Sequence, residues 1–212
     1  LQGPEAEKYA VETLGLTKAA ELSFYTYYRE PQMVVSRTGY TGEDGFEVYG
    51  SHDFTRKMWD MLMEAGVTPC GLGCRDTLRF EVGLPLYGHE LTADITPIEA
   101  SLSMFARLEK PEFIGKEALA KQKEEGVTRR IVGIELEGKA VPRQGYPIEV
   151  NGEVVGEVTT GYNSISTGKS VAMAMVKKEY AKLGTAVEVR IRKKTFPAVV
   201  VKKRFYEKNY KK

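Results

Sequence analysis

From Arg129 onward the chain consists of short segments rich in β-branched residues and separated by turn residues, and this pattern restricts the fold more than any other feature. Runs such as RRIVGIELEG, EVVGEVTTGY and FPAVVV have the length and composition of strands. Asn151-Gly152 lies between two strand-like runs and is a two-residue hairpin signal. This spacing predicts a small all-β sandwich or barrel. We therefore expect an all-β domain of one of these two kinds over residues 127–212.

The preceding residues, 1–126, alternate helical and strand-like segments and predict an α+β domain. Ser51 is a good N-cap for an amphipathic helix that Gly66 ends. Trp59 is expected to be buried on this helix. A second helix is expected over residues 72–82.

Composition and charge exclude several classes of protein. The chain has 31 basic and 29 acidic residues and a net charge of +2, so we expect no nucleic-acid partner. It has no apolar run of roughly 20 residues, so we expect no membrane span. Two histidines and two widely spaced cysteines predict no metal site.

The lack of a disulfide framework indicates a reducing compartment, the cytoplasm, or the mitochondrial matrix if the source is eukaryotic. The opening run LQGPEAEKYAVETLG is helical in character from its start. We expect the sequence to be a piece of a longer protein.

The stretch RTGYTGEDGFEVYG combines four glycines with a carboxylate inside a strand-like run. Strand alternation places Phe46 on one face and Glu47 on the other. One interpretation is a β-hairpin whose Glu47 faces water. The other is a ligand site, because a carboxylate accepts two hydrogen bonds side by side from adjacent N–H groups of a flat ring. A reduced pteridine and guanine both present that edge, and Tyr40 and Tyr49 would supply flat walls.

Several long strings closely resemble the aminomethyltransferases, the T-proteins of the glycine cleavage system. They are SRTGYTGEDGFEVYG, PCGLGCRDTLRFEVGLPLYGHEL, TPIEASLSMFARL, FIGKEAL and GEVTTGYNSISTGKSVAMAMV. The resemblance covers essentially the whole chain. It implies a three-lobed folate-binding fold followed by a β-barrel domain, and it favours the ligand-site interpretation of Glu47.

The resemblance also implies an activity, partners and contacts. The family transfers a one-carbon unit from the aminomethyl-lipoyl arm of the H-protein to tetrahydrofolate and releases ammonia. By resemblance Glu47 and Arg75 contact folate, and Tyr210 is the candidate for a further contact near the C-terminus. The alternative to a ligand contact for Arg75 is an ion pair with Asp76 or Glu47, whereas Arg79 is expected to be structural.

One element of the family pattern lies outside these residues. The family's catalytic Asp precedes the L-Q-G-P segment, so no catalytic residue is assigned here, and these residues alone are expected to be inactive. Cys74 stands where the family has a small residue and is expected to pack. The basic runs at 190–194 and 202–212 are either solvated or a docking surface for the acidic H-protein. The alternative function is a non-catalytic folate-binding or assembly module of the same fold.

Overall fold

The computed structural model describes residues 1–211 and contains two compact units. Unit 1 comprises residues 1–82 together with the tail that begins at Glu207, and unit 2 comprises Gly83–Tyr206. The expected division into domains 1–126 and 127–212 stays a prediction. The expected fold class is confirmed, because the chain combines helices and strands with a closed six-stranded barrel.

Unit 1 is built from helices and one small antiparallel sheet with the strand order β1-β2-β3. Its elements are α1 (Ala6–Lys8), a π-helical segment (Tyr9–Thr13), a 3₁₀ helix (Thr17–Glu21), β1 (Tyr27–Glu30), β2 (Met33–Ser36), β3 (Glu47–Gly50), α2 (His52–Glu64) and α3 (Leu72–Glu81). The N-terminal helices and the sheet bury one apolar cluster that includes Leu16, Val35 and Phe46.

The ends of α2 follow from local chemistry. The Ser51 hydroxyl accepts a hydrogen bond from the backbone N–H of Phe54 at 3.4 Å, as an N-cap does. Gly66 has φ +80°, a conformation that ends a helix and that glycine adopts without steric cost. The expected burial of Trp59 is wrong, because its side chain is 53% exposed. The apolar stripe of α2 is only half-buried, since it faces a cavity rather than a second packed element.

Unit 2 contains the barrel, in which the strands follow the order β4-β7-β6-β5-β8-β9. The strands are β4 (Arg129–Leu136), β5 (Pro147–Val150), β6 (Glu153–Asn163), β7 (Ser170–Lys177), β8 (Ala186–Ile191) and β9 (Lys194–Val201). β4 pairs with both β7 and β9, which closes the sheet and selects the barrel over the sandwich. Ile134, Ile148 and Val189 are among the fully buried side chains of its interior.

The predicted hairpin joins β5 and β6. Asn151 has φ +52° and Gly152 has φ +81°, and two successive positive φ values define the tight turn that this dipeptide favours. Unit 2 also contains α4 (Lys116–Glu125) and two 3₁₀ turns (Ser103–Phe105 and Lys178–Tyr180). Within residues 1–211, no helix combines the length and the apolar character needed to cross a bilayer.

Candidate functional site

Unit 1 contains a cavity of about 580 Å³, a volume typical of small-molecule sites. The loop before β3, β3 itself, α2, the segment after α2 and α3 all contribute to its lining. Apolar walls come from Val48, Met58, Trp59 and Leu62. Such a surface is suited to the faces of a flat ring system, because burial of apolar area is favourable and needs no specific partner.

Glu47 lies at this cavity and is the first residue of β3. The predicted alternation is confirmed: Phe46 is fully buried, whereas Glu47 is exposed on the opposite face. The hydroxyl of Thr38 donates to Oε2 of Glu47 through a short hydrogen bond. Burial raises the pKa of Tyr49, and the charge of Glu47 and a hydrogen bond to it add to the effect.

The carboxylate of Glu47 retains capacity for a ligand. An ionised carboxylate has about four acceptor sites, and the hydroxyls of Thr38 and Tyr49 account for two of them. The remaining sites match two adjacent N–H donors on a ring edge. A pteridine ring presents such a pair of donors, and guanine presents the same pair.

Arg75 and Tyr40 form a second polar feature of the same cavity. The guanidinium carbon of Arg75 lies 4.4 Å from the centroid of the Tyr40 ring, within the range of a cation–π contact. Asp76 is engaged instead by Arg79, whose Nε donates to Oδ1 of Asp76 at 2.7 Å. The side chain of Arg79 is fully buried, which confirms its expected structural role.

Tyr210 lies elsewhere in unit 1. Its ring stacks on Phe24 with centroids 4.1 Å apart and planes inclined by 19°. Tyr210 is not among the residues that line the 580 Å³ cavity, whereas Glu47, Tyr40 and Arg75 are. The structure thus brings three of the four expected folate contacts to one cavity and holds the fourth against another aromatic ring.

The expected packing role of Cys74 is wrong, because Cys74 is exposed and lines the cavity together with Cys70. Its position on α3 places it one residue before Arg75, on the side of the helix that faces this cavity. Thr38 is a further residue that the sequence did not single out. Its spacing from Glu47 carries no signal, because the two meet only when β3 lies against the preceding loop.

Unit 2 also has a hollow, of about 820 Å³, at β4, β5, β8 and β9. Its acidic side chains include Glu135 and Glu149, which are already paired with Lys169 and Arg190 respectively. Aromatic side chains are absent from its described lining. The smaller cavity of unit 1 is therefore the better candidate, because it joins apolar walls to a few convergent polar groups.

Comparison with known proteins agrees with this arrangement. Residues 1–110 match the sequence profile of the GCVT N-terminal domain, and residues 129–207 match that of the glycine cleavage T-protein C-terminal barrel domain. The aminomethyltransferase of Alkaliphilus oremlandii is 48% identical over 222 aligned positions, which cover 100% of this chain and 60% of the relative. The aminomethyltransferase of Caldanaerobacter subterraneus is 46% identical, again over 100% of this chain and over 59% of the relative.

A solved structure shows the same likeness in three dimensions. The crystal structure of glycine cleavage system aminomethyltransferase T from Bartonella henselae superposes with a TM-score of 0.88 at 32% identity, covering 94% of this chain and 58% of that one. The chain thus spans about 60% of the length of the curated relatives that it matches. The two family profiles together account for nearly the whole sequence, in the family's order. The chain belongs to the family of the glycine cleavage T-protein, the aminomethyltransferases.

Proposed function

We propose that this chain supplies the folate-binding part of an aminomethyltransferase of the glycine cleavage system. The reaction takes an aminomethyl group from the lipoyl arm of the H-protein, passes its one-carbon unit to tetrahydrofolate and releases ammonia. The observation that carries the proposal is the position of Glu47, a carboxylate with spare acceptor capacity at a ring-sized cavity. Family membership supports it. We expect the reaction in the cytoplasm.

In this proposal Glu47 holds the 2-amino and N3–H edge of the pteridine. Each hydrogen bond from such donors to an ionised carboxylate contributes about 1.5–3 kcal/mol. Thr38 restrains the carboxylate, because its hydroxyl donates to Oε2; with the Tyr49 contact this leaves about two of the four acceptor sites to the ligand. The apolar side chains of α2 exclude water from the ring, which strengthens these polar contacts.

Arg75 is placed to bind the negatively charged end of the folate. A guanidinium group donates two parallel hydrogen bonds to a carboxylate, and folate carries carboxylates on its glutamate tail. The contact with Tyr40 holds the guanidinium at the cavity while its N–H groups stay in plane for a ligand. Tyr210 stays a predicted contact, since its ring is engaged by Phe24.

The chemical step needs a carboxylate that these residues do not supply. Tetrahydrofolate, when bound, supplies the nitrogen that accepts the carbon. The residues of this chain bind and orient it, which is positioning rather than covalent catalysis. By the resemblance the family's catalytic Asp precedes the segment that aligns with Leu1, and we do not assign its role to Asp44 or Asp76, because each is paired with an arginine. We therefore propose that residues 1–212 alone do not catalyse the aminomethyl-transfer reaction.

The H-protein is the proposed partner, and the basic residues near the C-terminus are the proposed docking surface. Some of the charges there are already compensated: Arg190 pairs with Glu149, and Lys211 pairs with Glu7. Lys193 and Lys202 are exposed, one in each of the two basic runs, and are proposed to attract an acidic partner. Neutralising both should reduce the salt dependence of H-protein binding. Neutralising Lys121 and Lys123 on α4 is the matched control, and an equal effect of both pairs would reject the docking surface.

The decisive experiment is calorimetric titration of tetrahydrofolate into this chain and, in parallel, into the full-length Alkaliphilus oremlandii relative. Glu47→Ala should weaken binding by about 2–4 kcal/mol, or roughly 30- to 1000-fold. Glu30→Gln is the control, because Glu30 is an exposed-surface partner of Lys18 and lies outside the cavity lining. A change of less than threefold for Glu47→Ala would reject the assignment.

A further inference from the structure

The backbone of Gln2 lies beside the loop that leads to Glu47. Residues 1–3 run antiparallel to residues 44–46, with backbone hydrogen bonds of 2.8 Å at both ends of this pairing and a bridge between Gln2 and Gly45 in the middle. Glu47 follows the paired segment directly and begins β3. The pairing therefore fixes residue 2 where its side chain can reach the rest of the loop.

The side-chain amide of Gln2 joins both ends of this loop. Nε2 donates to the Thr38 carbonyl at 3.1 Å and lies 3.5 Å from the Phe46 carbonyl oxygen. The hydroxyl of Thr41 donates to Oε1 of Gln2 at 3.2 Å. Because the Thr38 hydroxyl donates to Oε2 of Glu47, the amide holds the residue that restrains this carboxylate.

Two glycines of the loop leave the space that the amide occupies. A Cβ added to Gly39 or to Gly45 would lie within 3 Å of Cδ, Oε1 and Nε2 of Gln2. Neither glycine has the positive φ that by itself favours glycine. The absence of a side chain at both positions is explained by the close approach of the Gln2 amide, which is packed between the two backbones.

We propose that Gln2 is a positioning residue for the Glu47 carboxylate. Its amide holds Thr38 against the end of the loop, so that the Thr38 hydroxyl meets Glu47. The inference rests on the proposed folate site, in which Glu47 is the ligand contact. Gln2 also lines the cavity, but its amide donates and accepts within the loop, which favours positioning over a direct contact with the ring.

Hydrogen exchange measures the loop without any ligand. Gln2→Met keeps the length of the side chain and removes its donor and its acceptor. Gln32→Met is the matched control, because Gln32 is exposed in the turn between β1 and β2 and lies outside the cavity lining. Peptides that cover residues 38–47 should exchange faster in Gln2→Met alone, whereas β7 should stay as protected as in the unaltered chain. Unchanged exchange in the loop would overturn the proposal.

Gly39→Ala reaches the same effect while it leaves Gln2 in place. The added methyl group should displace the amide and speed exchange of the loop, as Gln2→Met does. In the background of Gln2→Ala, which empties this space, Gly39→Ala should add no further increase. An increase of equal size in both backgrounds would overturn the proposed packing of the amide against Gly39.

Titration with tetrahydrofolate tests whether Gln2 acts through Glu47. Gln2→Met should weaken binding about tenfold, equivalent to about 1.4 kcal/mol, and Gln32→Met should leave it unchanged. Added to Glu47→Ala, Gln2→Met should weaken binding by less than about threefold, because the carboxylate that it positions is already gone. A loss of about tenfold in both backgrounds would overturn the proposal. If the unaltered chain binds no tetrahydrofolate, the proposed function fails, and the exchange data alone decide whether Gln2 holds the loop.

Discussion

Arg37 and Asp44 form a two-point ion pair inside unit 1. Nε of Arg37 donates to Oδ1 of Asp44 at 2.9 Å, and Nη2 donates to Oδ2 at 2.5 Å. The same Nη2 donates to Oε2 of Glu7 at 2.6 Å, and Nη1 donates to the Leu22 carbonyl at 3.1 Å. The side chain of Arg37 is fully buried. This network holds the loop that precedes Glu47, so the cavity depends on it.

Replacement of Arg37 should therefore destabilise unit 1 strongly. Arg37→Met leaves Asp44 and Glu7 without their buried cation, and loss of one member of a buried charge network costs about 3–5 kcal/mol. Urea unfolding followed by circular dichroism measures the loss. Arg29→Met, an exposed arginine on β1, is the control and should change stability by less than about 0.5 kcal/mol. Equal midpoints for the two variants would contradict the structural role of Arg37.

Glu7 should make stability depend on pH in the acid range. Hydrogen bonds from Lys211 and then from Arg37 hold the pKa of Glu7 below its ordinary value of 4.5. A lowered pKa in the folded state contributes stability that is present above the unfolded value and lost as pH falls through the folded value. The difference in unfolding free energy between the unaltered chain and Glu7→Gln should thus narrow as pH falls below 4.5.

The control for this pH series is Glu21→Gln, which changes an exposed carboxylate on the same unit. It shows how far the loss of a surface carboxylate alone changes stability at each pH. A Glu7→Gln difference that follows the Glu21→Gln difference at every pH would show that the contacts of Glu7 with Lys211 and Arg37 do not stabilise the folded state.

Tyr210 should contribute to the stability of unit 1 through its ring. The stack on Phe24 is a close aromatic pair, and such pairs contribute about 0.5–1.5 kcal/mol beyond the area that they bury. Tyr210→Ala should lower the free energy of unfolding by about 1 kcal/mol or more, whereas Tyr210→Phe keeps the stack and should lower it less. If Tyr210→Phe nevertheless weakens tetrahydrofolate binding, the hydroxyl contacts the ligand; unchanged binding would remove Tyr210 from the site.

Any side chain larger than that of glycine at position 156 should destabilise the barrel. On β6 it faces β7 so closely that an added Cβ would lie within 3 Å of the Met175 carbonyl oxygen and of Cα of Val176, both of which are backbone atoms. Gly156→Ala should therefore cost about 1–3 kcal/mol by overpacking. Gly73→Ala is the contrasting change: Gly73 lies on the first turn of α3, an added Cβ would meet no atom within 4 Å, and the higher helix propensity of alanine should make this variant slightly more stable. Thermal unfolding of both variants checks this contrast: the midpoint should fall for Gly156→Ala and rise for Gly73→Ala.

Arg75→Lys should weaken tetrahydrofolate binding even though it conserves the charge. An ammonium is a point charge that lacks the planar fork of a guanidinium, and its contact with the Tyr40 ring is weaker. We expect about a tenfold loss, equivalent to about 1.4 kcal/mol. Arg56→Lys on α2, outside the cavity lining, is the control. Equal affinities for the two variants would assign Arg75 a role in packing against Tyr40 alone.

Local patterns in the sequence predicted several features of the site. The alternation in GFEVY placed Glu47 opposite the buried Phe46, because side chains of a strand alternate between faces. Ser51 and Gly66 marked the ends of α2 through capping and positive φ. The contact of Arg75 with Tyr40 had no such signal, since the two lie on separate elements and meet only when those elements pack.

The sequence by itself determined which segments are strands and helices, because spacing of apolar residues and turn chemistry act over a few residues. It left open whether the C-terminal strands form a sandwich or a barrel, since both need the same alternation. Pairing of β4 with β9 decided that question. Tertiary structure alone decided that Trp59 and Cys74 face a cavity. An amphipathic helix shows that one face is apolar, but its neighbours decide whether that face is covered.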